Sequence, residues 1–429
     1  MQAIIRPSGI SGTVAAPASK SMMQRACAAA LLHGGTTLIR NYGQSEDDQA
    51  ALGIIRQLGA TATFEEGKVL RIVSSGTLQV KEGTVLDCGE SGLSLRMFSP
   101  IAALSAVPVS ITGRGSLLQR PAAFIEELLP RLGVTVRSVQ GRLPLELQGP
   151  LNPAEIHVDG ALTSQFLTGL LLAFAAQNAS CTLHVRDLKS RPYIDLTLQV
   201  MEAFGMKLPR NDRYERFCFE PGRPAPAAET IRFAVEGDWS NAAFLLVAGA
   251  VAGDVTVTGL DVFSQQADKK ILEALQDCGC RLSIQAEQIE VAHRPLKAFH
   301  FNATDCPDLF PPLVALAACC RGISVIEGVH RLRHKESDRA LALQQEAGRL
   351  GIGIKIQEDL MMIEGGGKIK GGRVDSHNDH RIAMAFSIAA LQADGPVTVA
   401  RSEAVHKSFP GFYGQLQELC GADAVQTLL

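Results

Sequence analysis

The sequence has no excess of basic residues. Its 41 Lys and Arg stand against 44 Asp and Glu, a formal net charge of -3. A nucleic-acid-binding chain normally carries a basic surplus, so no nucleic-acid partner is expected, and any anion must be held by a few placed cations. None of the ten cysteines forms a C-x-x-C pair, and no histidine cluster stands at zinc-ligand spacing, so no metal site is expected. Several cysteines fall inside apolar runs, where a thiol behaves as a small hydrophobe; they read as reduced core thiols. No apolar stretch reaches the ~20 residues of a membrane span. The longest, 166–176 and 242–252, read as buried helices, so no membrane partner is expected. The first eleven residues lack the charged-then-apolar order of a signal peptide, which predicts a cytoplasmic chain.

What the sequence does contain is a repeat. The chain has 429 residues, 46% hydrophobic and 20% charged, enough apolar material for substantial cores in two or three domains. A polar helix start, an apolar run and a Gly- or Asn-containing turn recur six times, beginning at Ser19, Glu90, Thr163, Asp238, Asp308 and Asp379. The intervals are 71, 73, 75, 70 and 71 residues, too regular for chance. Each unit then has a second, amphipathic helix predicted to stop at a glycine: Gly59, Gly133, Gly205, Gly279, Gly351 and Gly421. β-like runs lie between the two helices, as at 37–39 and 255–257, and after the second, as at 61–64 and 353–356. The unit therefore reads helix, strand, helix, strand, and the fold class is α/β. Hydroxyl residues or Glu open the first three helices and Asp the last three. That change predicts two lobes of three repeats, one spanning 17–235 and the other 1–16 with 236–429. The segment before Ser19 is expected to add a strand to the second lobe.

Helix N-termini carry unpaired N–H groups and partial positive charge, so they attract anions. Lys20 and Ser21 stand at the mouth of the first helix, and Arg25 one turn further in. Gly92, four residues before Arg96, permits close backbone approach to a ligand. Arg120-Pro121 and Ser190-Arg191-Pro192-Tyr193 occupy equivalent loops, and Thr163-Ser164-Gln165 puts three hydrogen-bonding side chains before an apolar run. Asp308 is expected to cap its helix whatever else it does. The densest charge run, 331–339, falls at the strand-to-helix loop of the fifth repeat, and Arg381 and Lys407 follow in the sixth. Taken singly, each motif reads as capping or solvated charge. Their recurrence at equivalent positions favours a site for polyanions.

These motifs, in this order, resemble the 5-enolpyruvylshikimate-3-phosphate synthase family: Ser19-Lys20-Ser21 with Arg25, Asp159-Gly160 with Ser164-Gln165-Phe166-Leu167, Lys335-Glu336-Ser337-Asp338-Arg339, and Asn378-Asp379-His380-Arg381. The resemblance spans essentially the whole chain. It implies a two-lobed inside-out α/β barrel and transfer of the enolpyruvyl group of phosphoenolpyruvate to the 5-hydroxyl of shikimate 3-phosphate. It further implies that Lys20, Ser21, Arg25, Thr163, Ser164, Gln165, Ser190, Tyr193, Asp308 and Lys335 hold shikimate 3-phosphate. Lys20, Gly92, Arg120, Gln165, Arg339, Arg381 and Lys407 would hold phosphoenolpyruvate. Asp308 is the implied base, and Glu336 or Lys20 the acid that protonates the methylene carbon. No cofactor is implied, and a monomer is expected.

The chain departs from the family pattern at Leu93 and Met97, where a Thr and a Pro are common, and at Arg331, where some members have Asn. Because glyphosate occupies the phosphoenolpyruvate site in this family, Leu93 and Met97 predict weaker inhibition. A sister family that transfers enolpyruvyl to a UDP-sugar shares the fold. It usually carries a reactive Cys in the loop spelled here 114–120, which has none, and Lys-Asn where this chain has Lys20-Ser21. A non-catalytic anion-binding scaffold is the other reading, and it gives Asp308 and Glu336 no reason to face the cations.

Overall fold

The computed structural model describes residues 1–160, 164–178, 180–222, 230–333 and 335–428. The α-helices among them are, in chain order, Lys20–His33 (α1), Glu46–Gln57 (α2), Gly92–Ala102 (α3), Ala123–Leu128 (α4), Ser164–Ala176 (α5), Arg191–Ala203 (α6), Trp239–Ala252 (α7), Ile271–Cys278 (α8), Phe310–Cys319 (α9), Arg339–Arg349 (α10), His380–Ala389 (α11) and Phe412–Cys420 (α12). The chain divides into two compact units, Ala18–Val235 and Met1–Pro17 with Glu236–Leu429. Among the described residues each unit contains three four-stranded sheets.

All six sheets follow one plan: a parallel pair, then two strands added antiparallel. In one of them His300–Asn302 runs parallel to Gly322–Glu327, which pairs antiparallel with Leu360–Gly365, itself the partner of Gly353–Gln357. The parallel pair is joined through α9, a crossover that lays the helix on its own sheet. Two sheets take an outer strand from far along the chain. Ile10–Ala15 lies parallel to Gly253–Thr258, and Thr230–Ala234 lies parallel to Gly35–Arg40. A further early strand, Gln2–Ile5, sits between Val397–Ala400 and Val425–Leu428. The first seventeen residues thus give two strands to the unit that holds residues 236–429.

The first helix of each repeat is apolar on nearly every face because it is covered on nearly every face. All ten residues of α11 are buried, and in α7 every residue from Trp239 to Val251 except Ser240 is buried. The helices pack closely where a residue is small: a methyl group at Gly169 of α5 would stand 2.3 Å from the Met97 carbonyl oxygen of α3. The second helices end as predicted. Gly59, Gly133, Gly205, Gly279, Gly351 and Gly421 all have positive φ, from +62° to +108°, a backbone state that a β-carbon disfavours.

Two helix starts differ from the sequence expectation. Ser91, not Glu90, caps α3, accepting from the Ser94 N–H at 3.1 Å. The Glu90 carboxylate instead accepts from the Ser116 N–H and hydroxyl, both at 3.0 Å. Asp308 is not a cap. The chain enters α9 through a 3-10 turn, Pro307–Leu309, and neither this turn nor α9 has a side-chain cap. Pro311 and Pro312 explain why, since a first turn built on proline has fewer N–H groups to satisfy. Thr163, the third expected start, lies outside the described residues, and α5 begins at Ser164.

Candidate active site

In the unit Ala18–Val235 the predicted residues form two linked groups. The first centres on Arg25, whose side chain is only 1% exposed. Its Nε donates to Thr197 Oγ1 at 2.9 Å, Nη1 to the Ser21 carbonyl at 2.8 Å, and Nη2 to the Tyr193 carbonyl at 3.3 Å and Thr168 Oγ1 at 3.4 Å. Every acceptor is a neutral oxygen. Burial pulls the guanidinium down to about 10, so it stays charged at neutral pH, and among the described residues no carboxylate pairs with it. Ser164 belongs to the same group, since its carbonyl accepts from Thr168 Oγ1 at 3.1 Å. Ser190, held at φ 55°, precedes α6 and accepts the Tyr193 N–H at 3.1 Å.

The second group surrounds the start of α3. Arg96 Nη1 donates to the Gly92 carbonyl at 3.2 Å and to Gln165 Oε1 at 3.3 Å, while its guanidinium lies over the Phe124 ring, 6.0 Å from the centroid. A methyl group at Gly92 would stand 2.4 Å from Arg120 Nη1 and 2.6 Å from Arg96 Nη1. Glycine is therefore what lets two guanidiniums close on this helix start. Sequence reasoning noted Arg96 but gave it no role, and gave none to Thr168 or Thr197. Nothing in a threonine's local sequence reports that it faces a buried arginine.

Lys20, at the first position of α1, donates to Asp47 Oδ2 at 2.9 Å. Asp47 was also missed, although a signal was there. Ser45 and Asp48 form a capping box at the head of α2, which fixes where Asp47 stands. Asp48 itself is buried: Oδ2 accepts from the Ser45 N–H at 3.0 Å and hydroxyl at 2.6 Å, and Oδ1 has no hydrogen-bond partner among the described residues. Burial, with a smaller contribution from Asp47, pushes its carboxyl up to about 7. A raised carboxyl stabilises the fold fully below its unfolded value of ~4 and loses that contribution as pH rises through 7. Asp48→Asn keeps an acceptor for Ser45 and removes the buried charge. Thermal unfolding of the native chain should therefore show a higher Tm near pH ~5.5 than near ~8.5, and the variant a smaller difference. Equal pH dependence in the two proteins would show that Asp48 does not titrate in this range.

In the other unit the predicted residues converge on Asp308. Its Oδ1 accepts from Lys335 Nζ at 3.1 Å and Arg339 Nη1 at 2.9 Å, and its Oδ2 lies 3.4 Å from Arg381 Nη2. Burial alone would raise this carboxyl, but Arg381, Lys335 and Arg339 together hold it well below the ordinary range. Burial likewise lowers Lys335, against the pull of Asp308. Arg339 is fully buried and bridges three carboxylates. Besides Asp308 it donates to Glu336 Oε2 at 2.5 Å, to Asp379 Oδ2 at 3.0 Å and to Asp379 Oδ1 at 3.2 Å. Asp379 also caps α11, accepting the Arg381 N–H at 2.9 Å. Lys407 Nζ donates to the Asn378 carbonyl at 2.6 Å. Thr163 is the one predicted site residue outside the described residues. Among those residues no cluster of His, Cys, Asp and Glu has the arrangement of a metal site, and no helix is long and apolar enough to cross a membrane.

The comparisons with known proteins agree on one family. The model of EPSP synthase (3-phosphoshikimate 1-carboxyvinyltransferase) matches residues 4–416. A 3-phosphoshikimate 1-carboxyvinyltransferase of Clostridium novyi is 34% identical, with 97% of each chain covered. One from Aeropyrum pernix is 36% identical, covering 97% of this chain and 95% of its own. The solved EPSP synthase of Acinetobacter baumannii superposes with a TM-score of 0.80 at 27% identity, with 99% of each chain covered. The enolpyruvyl transferase NikO of Streptomyces tendae shares the fold, with a TM-score of 0.73 at 17% identity and 97% of each chain covered. With its six repeated α/β units and a family match over nearly its whole length, the chain belongs to the EPSP synthase family.

Proposed function

We propose that this chain transfers the enolpyruvyl group of phosphoenolpyruvate to the 5-hydroxyl of shikimate 3-phosphate, releasing phosphate, in aromatic amino-acid biosynthesis. Arg25 carries the reading. A fully buried guanidinium whose donors, among the described residues, reach only neutral oxygens suits an anion brought by a substrate. The residue sets implied by the family resemblance are retained as the binding residues for the two substrates.

Both substrates are anionic, and clustered cations offset their repulsion and hold them in reacting geometry. Asp308 takes the proton of the 5-hydroxyl as that oxygen attacks phosphoenolpyruvate, and a proton adds to the methylene carbon. The tetrahedral intermediate then loses a proton from the same carbon and expels phosphate. It keeps its carboxylate and phosphate until then, so the same cations stabilise it. The two candidate acids are each held by a neighbour of opposite charge, Lys20 Nζ by Asp47 Oδ2 at 2.9 Å and Glu336 Oε2 by Arg339 Nη2 at 2.5 Å, and Glu336 or Lys20 protonates the methylene carbon. The chain works as a cytoplasmic monomer, and residues 17–235 and 1–16 with 236–429 act as its two lobes.

The test is phosphate release from phosphoenolpyruvate that depends on shikimate 3-phosphate. Release without that acceptor, or only with a UDP-sugar, would overturn the reading. Gly92→Ala is expected to raise KM for phosphoenolpyruvate at least ~10-fold with a smaller change for shikimate 3-phosphate, because both guanidiniums must move. Equal shifts for both substrates would place Gly92 elsewhere. Leu93 and Met97, both buried in α3, should make glyphosate a weaker inhibitor of the native chain than of Leu93→Thr/Met97→Pro. Equal inhibition constants would make them ordinary core residues.

A further inference from the structure

Asp268 lies in the 3-10 turn Ala267–Lys270 and is fully buried. Its Oδ2 accepts the hydroxyl hydrogen of Ser240, the second residue of α7, and its Oδ1 has no hydrogen-bond partner among the described residues. The Ser240 carbonyl accepts in turn from Arg381 Nη1 at 3.4 Å, and the same nitrogen donates to the Asp308 carbonyl at 3.4 Å. Arg381 therefore has two carboxylates within its field, Asp308 in direct contact and Asp268 one residue removed.

The loop leading into the turn is held by other contacts. Ser264 Oγ already donates to Glu236 at 2.5 Å, Gln266 Nε2 to the Gly237 carbonyl at 2.8 Å, and the Trp239 N–H to Gln266 Oε1 at 3.1 Å. An asparagine would accept from Ser240 equally well, without burying a charge beside another carboxylate. A carboxyl kept where an amide would be less costly points to use of its charge.

Resting on the reaction proposed above, we infer that Asp268 is a positioning residue for that reaction: its carboxylate competes with Asp308 for the Arg381 guanidinium, and its gain or loss of a proton sets how firmly Arg381 holds Asp308. When Asp268 is ionised, Arg381 is shared and Asp308 is the stronger base. When Asp268 is protonated, Arg381 belongs to Asp308 alone. Burial first, then the negative charge of Asp308, brings the Asp268 carboxyl up to about 7, against the opposing pull of Arg381 and the Ser240 hydroxyl. The other charged or titratable groups around it are Asp238 at the head of α7, Cys306 before α9, and Lys269 and Lys270 on its own turn. The Cys306 thiol is pushed up by burial and stays neutral.

The experiment compares kcat and KM of the native chain and Asp268→Asn from about pH 5.5 to about 9. The native kcat should rise through neutrality. The variant should match it near pH ~6 and fall about tenfold behind near ~8.5, with KM for phosphoenolpyruvate within about twofold. A loss of the same factor at every pH, or an unchanged profile, overturns the inference. Should Asp268→Asn not fold, Ser240→Ala decides. It removes a hydrogen bond that favours the ionised carboxyl, so the inflection must move to higher pH, and an unmoved inflection overturns the inference. Infrared difference spectra of the native chain need no turnover. A carboxyl band that disappears through neutrality and is altered in Ser240→Ala shows that Asp268 titrates there whether or not the chain releases phosphate, and absence of that band overturns the inference. Absence of phosphate release alone would overturn the proposed reaction instead.

Discussion

Arg339→Met is expected to lower the Tm of the ligand-free chain by on the order of 10 °C. The Arg339 side chain has no exposed surface and donates to three carboxylates, of Asp308, Glu336 and Asp379. Methionine fills much of the same space and offers no donor, so three carboxylates lose their common cation. Removing one partner of a buried ion network costs about 3–5 kcal/mol, because the remaining charges stay desolvated. That is a large share of the ~5–15 kcal/mol that usually separates folded from unfolded. Arg339→Lys should recover little of the loss, since an ammonium group cannot make the planar fork that serves Asp379 through two nitrogens and Asp308 through the third. The network also has a pH signature. Asp308 is held below its ordinary range, so its contribution is complete above the unfolded value of ~4 and is lost as pH falls through the folded value. The Met variant should therefore be destabilised at neutral pH and lose less on acidification than the native chain. Scanning calorimetry across that range checks both points, and a Tm within about 2 °C of native at neutral pH would mean that the network does not hold the fold.

How much of this was legible in the sequence depended on the range of the interaction. The six helix-ending glycines and the period of the repeat were readable because a left-handed turn and a helix start are decided within a few residues. Ser45 and Asp48 are equally local: their capping box marks the start of α2 and puts Asp47 in its first turn, but the pairing of Asp47 with Lys20 of α1 is not local. Asp308 misled for a physical reason: an Asp before an apolar run is the usual sign of a cap, but Pro311 and Pro312 remove the N–H groups a cap would serve. The strand exchange, Ile10–Ala15 with Gly253–Thr258 and Thr230–Ala234 with Gly35–Arg40, is set by pairings some 200 residues apart or more, for which local pattern holds no register. Arg25 shows the same division. Its place one turn inside α1 was readable, but its neutral cage of Thr168, Thr197 and the Tyr193 carbonyl was not, because those residues come from α5 and α6. The charge run at 331–339 reads as a solvated face when taken alone, yet its last residue is the most enclosed cation of its unit.

Asp308→Asn is expected to lower kcat by ~10²–10⁴-fold while shikimate 3-phosphate affinity stays within about tenfold. In the ligand-free chain Asp308 is ionised but is a weak base, because Arg381, Lys335 and Arg339 all favour its charged form. Those three cations are among the residues proposed to bind the two anionic substrates. Once phosphate and carboxylate groups occupy them, less positive charge acts on Asp308, and its affinity for a proton rises toward what abstraction from a hydroxyl requires. Substrate binding would thus activate the base that acts on it. Asparagine keeps the size and an acceptor oxygen but cannot take the proton. It also leaves Lys335, Arg339 and Arg381 with one less anion among them, so KM for phosphoenolpyruvate should stay level or fall. That pattern, kcat lost with both affinities kept, separates a base from a structural carboxylate, whose loss would weaken binding along with turnover. The measurements are steady-state kinetics for both substrates and calorimetric titration with shikimate 3-phosphate. A variant with near-native kcat would move the role of base away from Asp308. A variant that loses affinity and turnover by the same factor would make Asp308 an anchor for Lys335 and Arg381 and nothing more.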